Sequence, residues 1–384
     1  MKKVIIAPDS FKGSLSSILV ADIVAEEVLE VFPDCTVVKM PIADGGEGSI
    51  DTIITTIGGN IYEAEVLSPD DRLISASFGI AADGTAIVEM AQSSGITKQK
   101  GLNPMTSSTY GFGQLILAAL NRGARDFTLC IGGSATTDAG CGMAAALGIV
   151  FADRRGIAFT PCGGTLNEIM RIDTSGIDKR IKESKFTVMC DVDNPLHGTS
   201  GAAHVYGPQK GADSDQVHTL DEGLQHFGTI LYEQFGMDYA SIPGAGAAGG
   251  LGAGCIAFLE ANLVNGSEAI LKLCDYKKHL VGADLIITGE GRLDMQSFNG
   301  KVLSGILREA GDIPVFSICG ACECDDALLR EHGLSVFETS EGISVEESIA
   351  FPAKYIKIAA KKVVEVVRQG GYSALGTPTK RRIV

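Results

Sequence analysis

Tryptophan is absent, and aromatic residues make up only 6% of the 384-residue chain. That excludes a stacking platform for single-stranded nucleic acid, which needs exposed rings. Positive charge is also scarce: 32 Lys and Arg stand against 47 Asp and Glu, a net charge of −15. A protein that grips a phosphate backbone presents a basic face, so nucleic acid is not an expected partner. The same imbalance repels a small anionic substrate at long range, so any anion site must be built locally. Long apolar runs are missing. The run Val4 to Ala7, closed by Pro8-Asp9, is too short for a signal peptide. No stretch approaches the roughly 18 uncharged apolar residues of a membrane span. Ten cysteines are scattered in a chain without an export signal, which points to reduced thiols and a cytoplasmic location.

Several catalytic signatures are missing too. The six histidines form no HxH or HExxH cluster, which argues against a catalytic zinc site. No Gly-x-Ser-x-Gly elbow supplies a serine nucleophile. There is no Walker Gly-Lys-Ser/Thr, no internal repeat and no low-complexity tract, and the Gly132 to Gly140 loop lacks the dinucleotide glycine spacing at a first βαβ unit. Cys319-Gly320-Ala321-Cys322, with Cys324 and His332 nearby, has the spacing of a dithiol motif. No second cysteine pair completes a metal site, and neither redox nor zinc function is expected there.

What is present is an ordinary globular composition, 45% hydrophobic and 21% charged, with 48 glycines that cluster. The length suggests two or three domains. Val4 to Ala7 reads as a buried strand. Ser16 or Ser17 caps a helix whose Val20, Val24, Val28 and Phe32 recur near helical spacing. Thr36 to Met40 reads as a second strand, and a helix starts near Ser49. This βαβα rhythm predicts a doubly wound parallel sheet, of Rossmann or flavodoxin-like type. Tyr62 to Leu67, Leu73 to Ile80 and Ala86 to Met90 then read as short antiparallel strands joined by tight turns. Phe127 to Ile131 and Phe186 to Cys190 are strands of a second α/β region, and from Ala283 the first rhythm returns. The expectation is a doubly wound α/β domain of residues 1–67 and 282–384, with a second α/β domain, 68–281, inserted. The tail Lys380-Arg381-Arg382 reads as a solvated end.

The chemistry sits in loops after putative strands, where open α/β sheets bind ligands. Asp9-Ser10-Phe11-Lys12-Gly13-Ser14 places a lysine at a helix mouth, where it opposes the helix dipole unless an anion is bound. Asp44-Gly45-Gly46-Glu47-Gly48 sets two carboxylates among glycines that allow close approach. Gly132-Gly133-Ser134-Ala135-Thr136-Thr137-Asp138 is a turn whose backbone N–H groups suit an anion. Asp191-Val192-Asp193 places two carboxylates at i and i+2, which point the same way on extended chain and suit a Mg²⁺ ion or a proton acceptor. Pro243 to Gly252 is mostly glycine and alanine, and either packs tightly or lets a ligand touch backbone. Thr288-Gly289-Glu290-Gly291-Arg292-Leu293-Asp294 offers two carboxylates and an arginine suited to bidentate binding. Gly-rich cradles, isolated cations and carboxylates without a covalent nucleophile fit phosphoryl transfer, which asks for positioning and charge neutralisation.

Taken together and in this order, these stretches, with Gly207-Pro208-Gln209-Lys210-Gly211-Ala212, resemble the bacterial glycerate kinase family of the type forming 2-phosphoglycerate. Thr137 stands where an Asn is common, and the match loosens after about Asp325. The resemblance implies a two-domain α/β fold with an active site in the interdomain cleft, MgATP as phosphoryl donor and D-glycerate as acceptor. Gly132, Gly133, Ser134, Thr137 and Asp138 are then expected to hold the nucleotide. Asp9, Ser10, Asp44, Arg292 and Asp294 are expected to hold glycerate, with Lys12 and Glu290 beside the reacting groups. Asp191 is the expected general base, because a strand end aims it rigidly, and Asp193 the expected metal ligand. Asp9, Asp44, Asp138, Asp193, Glu290 and Asp294 are rival bases. Partners are expected to be small molecules, with neither membrane nor nucleic acid, and a homodimer as the assembly. Phosphorylation of another hydroxy acid, a glycerate 3-kinase, and a sugar-acid binding protein without turnover are the alternatives.

Overall fold

The structure, a computed structural model, describes residues 1–370 except 12, 44, 47 and 299–301. In chain order the strands are β1 (Lys3–Pro8), β2 (Thr36–Lys39), β3 (Gly59–Leu67), β4 (Leu73–Ala81), β5 (Ala86–Glu89), β6 (Asp126–Cys130), β7 (Val150–Ala152), β8 (Ala158–Phe159), β9 (Arg171–Asp173), β10 (Lys185–Met189), β11 (Asn262–Val264), β12 (Leu285–Leu293), β13 (Val315–Cys322) and β14 (Leu334–Glu338). The chain forms two compact units. The first takes in Met1–Asp44, Thr55–Ile57 and everything from Gly266 on; the second takes in Gly45–Ile54 and Gly58–Asn265.

The first unit holds a five-stranded sheet in the order β14-β13-β12-β1-β2, with every pairing parallel. Parallel strands need crossover helices, which cover the sheet and make its strands near-continuous apolar runs. Val4 to Ala7 is such a run, each residue wholly buried, and Val4 pairs with Leu285 across 281 residues of sequence. Ser16 caps the helix Ser17–Val31 by accepting from the Leu19 N–H. That helix buries Val20, Val24 and Val28 against Ile356, Ala360 and Val363 of the helix Pro352–Arg368. Glu27, 3% exposed, sits in this packing with Lys357 at 3.1 Å.

The second unit holds a six-stranded sheet in the order β11-β10-β6-β5-β4-β3. β5, β6, β10 and β11 run parallel, and β3 and β4 add an antiparallel edge. Phe127 and Phe186 stack at 4.7 Å across neighbouring strands in a core that also takes Val88, Phe112, Leu115 and Leu129. A small antiparallel sheet, β8-β7-β9, lies in the same unit.

The unit boundaries differ from those expected at 67/68 and 281/282. β3 pairs with β4 along its whole length, from Gly59↔Ala81 to Leu67↔Leu73, so the hairpin stays in one sheet and β3 belongs with the second unit. The helices Gly266–Leu273 and Tyr276–Leu280 belong with the first. Thr288 to Asp294, read as a loop, is mostly strand: β12 runs on to Leu293, with Glu290↔Cys319 and Arg292↔Ala321. Its glycines let two backbones close up, since a Cβ on Gly289 would lie 2.4 Å from the Ile318 carbonyl oxygen. The Cys319 to Cys322 segment is likewise part of β13, and the ten cysteines form no disulfide with one another. No helix among the described residues is long and apolar enough to cross a membrane. The Lys380-Arg381-Arg382 tail lies outside the described residues.

Candidate functional site

In the second unit the expected residues lie at the carboxyl ends of β6 and β10. The register Cys130↔Met189 sets Gly132 and Asp191 level, each two residues beyond its paired strand end. Neighbouring strands are about 4.8 Å apart, so these two loops leave the sheet side by side. Asp191 and Asp193 are exposed, and no group of three metal-ligating side chains forms among the described residues. Magnesium is commonly held by one or two carboxylates with substrate phosphates and water, and this pair of hard oxygen donors suits that mode.

The cradle itself is held by backbone. The Gly132 N–H donates to the Gly45 carbonyl at 3.1 Å, and a Cβ on Gly132 would meet Gly46 Cα at 2.8 Å. Only glycine permits that approach. The Ile96 N–H donates to the Gly133 carbonyl and the Ala135 N–H to Ser94, both at 3.0 Å. Gly133 is exposed and in the left-handed region at φ +74°, while Ser134 is 7% exposed.

Beneath it, Thr136, Thr137 and Asp138 are all 0% exposed. Asp138 accepts from the Thr109 N–H and hydroxyl, both at 2.7 Å, and from the Gly140 and Gly142 N–H groups at 3.2 Å. Its carboxylate therefore ties together the starts of the helices Tyr110–Asn121 and Cys141–Ala146. Burial pushes its pKa up, and the Thr109, Gly142 and Gly140 donors pull it back. The carboxylate therefore braces the loop from inside. Thr137 is also interior, and its hydroxyl and that of Thr136 have no hydrogen-bond partner.

The Pro243 to Gly252 run packs rather than opens. The Ala139 N–H donates to the Gly249 carbonyl at 3.1 Å, and a Cβ on Gly249 would stand 2.0 Å from the Thr136 carbonyl oxygen. A Cβ on Gly246 would stand 2.2 Å from that of Pro195, so the same run also braces the loop after Asp193.

Two interior groups were not among the expected site residues. Glu89 ends β5 at 0% exposure and accepts from the Gly48 N–H at 2.9 Å and the Ile50 N–H at 3.4 Å. It caps the helix Ser49–Ile57, whose cap position is a glycine without a side chain. An acid closing the apolar run Ala86-Ile87-Val88 is a sign that could have been read. Lys210 is 1% exposed and donates from Nζ to the Thr136 carbonyl at 2.6 Å. Burial lowers its pKa to about 7, and the charge of Asp138 works against that.

In the first unit β1 ends with Pro8 opposite Gly289, and β12 runs on four residues further to Leu293. The Asp9 N–H donates to the Gly289 carbonyl at 2.8 Å, and Asp9 Oδ1 accepts from the Ser10 N–H at 2.6 Å. Half-buried Glu290 accepts from the Ser297 hydroxyl at 2.8 Å, and Asp294 Oδ1 accepts from the Gln296 N–H at 2.8 Å. Arg292 is not poised alone for an anion: its guanidinium pairs with Glu323, both side chains being more than half exposed. Asp9, Ser10, Glu290, Arg292 and Asp294 thus share one sheet end. Lys12 and Asp44 lie outside the described residues.

Comparison with known proteins agrees over the whole chain. The model of the "Glycerate kinase family" matches residues 4–368. A glycerate kinase from Bacillus cereus (strain ATCC 10987 / NRS 248) is 42% identical over 371 residues, 95% of this chain and 97% of its own. A glycerate 2-kinase from Escherichia coli (strain K12) is 40% identical over 362 residues, 93% of this chain and 95% of its own. A crystal structure from Salmonella typhimurium LT2, provisionally described as glycerate kinase 2, superposes with a TM-score of 0.84 at 34% identity, covering 96% of this chain and 99% of that one. On whole-length sequence and fold together, this chain belongs to the glycerate kinase family.

Proposed function

We propose that this chain transfers the γ-phosphoryl group of ATP to the 2-hydroxyl of D-glycerate, giving 2-phosphoglycerate and ADP. The observation that carries this reading is whole-length family membership with 40% identity to a relative named glycerate 2-kinase. Gly133 presents its backbone N–H and Ser134 its hydroxyl to the nucleotide phosphates, and Gly132, whose N–H is taken by the Gly45 carbonyl, fixes the turn that carries them. Asp191 is the general base: as the glycerate oxygen bonds to the γ-phosphorus and the bond to the ADP oxygen breaks, its carboxylate takes the hydroxyl proton. The level register of Gly132 and Asp191 supports that pairing of roles. Asp193 holds Mg²⁺ with the phosphates, and the ion supplies charge neutralisation there. In the first unit, Asp9, Ser10 and Asp294 serve glycerate; Arg292 does so by exchanging its Glu323 partner for the substrate carboxylate. Ten cysteines without a disulfide among them fit a reducing compartment, so we place the enzyme in the cytoplasm.

ADP release with D-glycerate against a panel of hydroxy acids tests the reaction. ADP formed only with another acid rejects glycerate as the substrate. Phosphorus NMR of the product separates the 2-phosphate from the 3-phosphate.

A further inference from the structure

Lysine is almost never fully buried unless its charge is answered. Lys210 is 1% exposed although it ends a single turn, Pro208–Lys210. The flanking glycines explain how it is driven inward. A Cβ on Gly207 would lie 2.4 Å from the Ala203 carbonyl oxygen, and one on Gly211 would lie 2.7 Å from Leu102. The turn is pressed against its surroundings at both ends, and its long side chain passes into the interior.

There the ammonium meets the loop that follows β6. Nζ donates to the Thr136 carbonyl at 2.6 Å, 74 residues away in sequence. The charge facing it is Asp138, on the same loop; the Cys141 thiol also faces Asp138. The same carbonyl oxygen is crowded by Gly249, where no Cβ fits. The loop's own hydroxyls at Thr136 and Thr137 hold nothing. Lys210 is thus a long-range side-chain hold on this stretch of backbone.

Thr136 lies two residues beyond Ser134, so a Thr136 carbonyl held by Lys210 also fixes the path of the chain as it leaves the Gly133–Ser134 turn. We infer that Lys210 is a positioning residue for nucleotide binding, holding the buried Thr136–Thr137 peptide from beneath so that the Gly133–Ser134 turn keeps the conformation that meets the phosphates. This rests on the reading of the 132–138 loop as the ATP phosphate cradle.

The test is steady-state kinetics and ATP calorimetry on Lys210→Met, which keeps the stem and removes the donors, and on Lys210→Gln, which keeps a neutral donor. Losing a charged hydrogen bond that orients the loop should raise KM for MgATP about tenfold or more. KM for glycerate should stay within about twofold, and the glutamine should recover part of the loss. A purely structural role would lower Tm and raise both KM values together, and that result, or an unchanged nucleotide KM, overturns the inference. If neither variant folds, hydrogen exchange on the wild-type chain decides: ATP must slow exchange in the peptide covering 132–138, and no slowing overturns the inference. Wild-type turnover separates the two readings. A chain that turns over glycerate without dependence on Lys210 defeats this inference alone. A Lys210-dependent ATP binder with no glycerate turnover defeats the proposed substrate alone.

Discussion

The two units end their parallel strands in different ways. In the second, the loops after β6 and β10 are nested backbone against backbone, with glycines at 132, 246 and 249 where a Cβ would collide at 2.0–2.8 Å. In the first, the groups on the last residues of β12 and just beyond it are held by exchangeable side-chain bonds: Ser297 to Glu290, Gln296 to Asp294, Glu323 to Arg292. The first pattern suits a rigid mould for a phosphate chain, since nothing can relax without moving several backbones. The second suits groups that trade a protein partner for a substrate oxygen.

The largest expected effect sets the carboxylates of the two units against each other. Asp191→Asn keeps shape and removes the proton acceptor, so kcat should fall about 10²–10⁴-fold with ATP binding nearly intact by calorimetry. Glu290→Gln keeps the Ser297 bond and should cost about tenfold or less. The reverse order gives the base role to Glu290. If Asp191→Asn instead weakens nucleotide binding and added Mg²⁺ restores the rate, Asp191 is a metal ligand.

Next comes a matched pair of glycines. Gly249 and Gly282 have the same φ of +74°, but only Gly249 has Thr136 within 4 Å of a built Cβ; Gly282 has nothing. Gly282→Ala should cost about 1–2 kcal/mol, the backbone penalty alone. Gly249→Ala should cost about 3 kcal/mol or more in urea unfolding, because the Thr136 backbone must also move. Equal costs would mean that the nesting contributes no rigidity.

The buried charges of the second unit predict a pH dependence. Below about pH 7, Lys210 is protonated in both folded and unfolded chains, so its contribution is constant. Between about 7 and the usual lysine value near 10.4, the unfolded chain binds a proton that the folded chain does not, and stability rises with pH. From pH 7 to 9 the wild type should gain on the order of 2 kcal/mol over Lys210→Met in urea unfolding. Asp138, whose pKa is raised, works oppositely: its contribution is fully present below the unfolded carboxylate value and is lost as pH rises through the folded one. A stability difference between wild type and Lys210→Met that does not change across pH 7–9 would show that Lys210 titrates normally.

The smallest effect lies in the first unit. The Arg292–Glu323 pair is exposed and screened by water. Glu323→Gln should leave Tm within about 1 °C while lowering KM for glycerate, because Arg292 is then released for the substrate carboxylate. An increase in that KM would mean that Glu323 orients Arg292 for the substrate.

Much of the frame was legible in sequence because its signals are local. The apolar run Val4 to Ala7 and the spacing of Val20, Val24 and Val28 declare a buried strand and a helix without reference to any partner. The placement of β3 was not legible, since a strand's own pattern does not say which sheet it joins. Nor was the strand character of Glu290 to Leu293, where glycine and charge read as loop until β13 is found beside them.

The candidate site divides along the same line. The ordered stretches from Asp9 to Asp294 determined the family by themselves, because residue identity and order are what the sequence spells out directly. Only the tertiary structure decided which carboxylates stay in water and which are enclosed. Asp191 and Asp138 look alike on paper, yet one is exposed and the other answers four donors at 0% exposure. Burial is the sum of contacts from segments far apart in the chain, such as Thr109, Gly249 and Lys210 closing on one loop, and no local pattern records that sum.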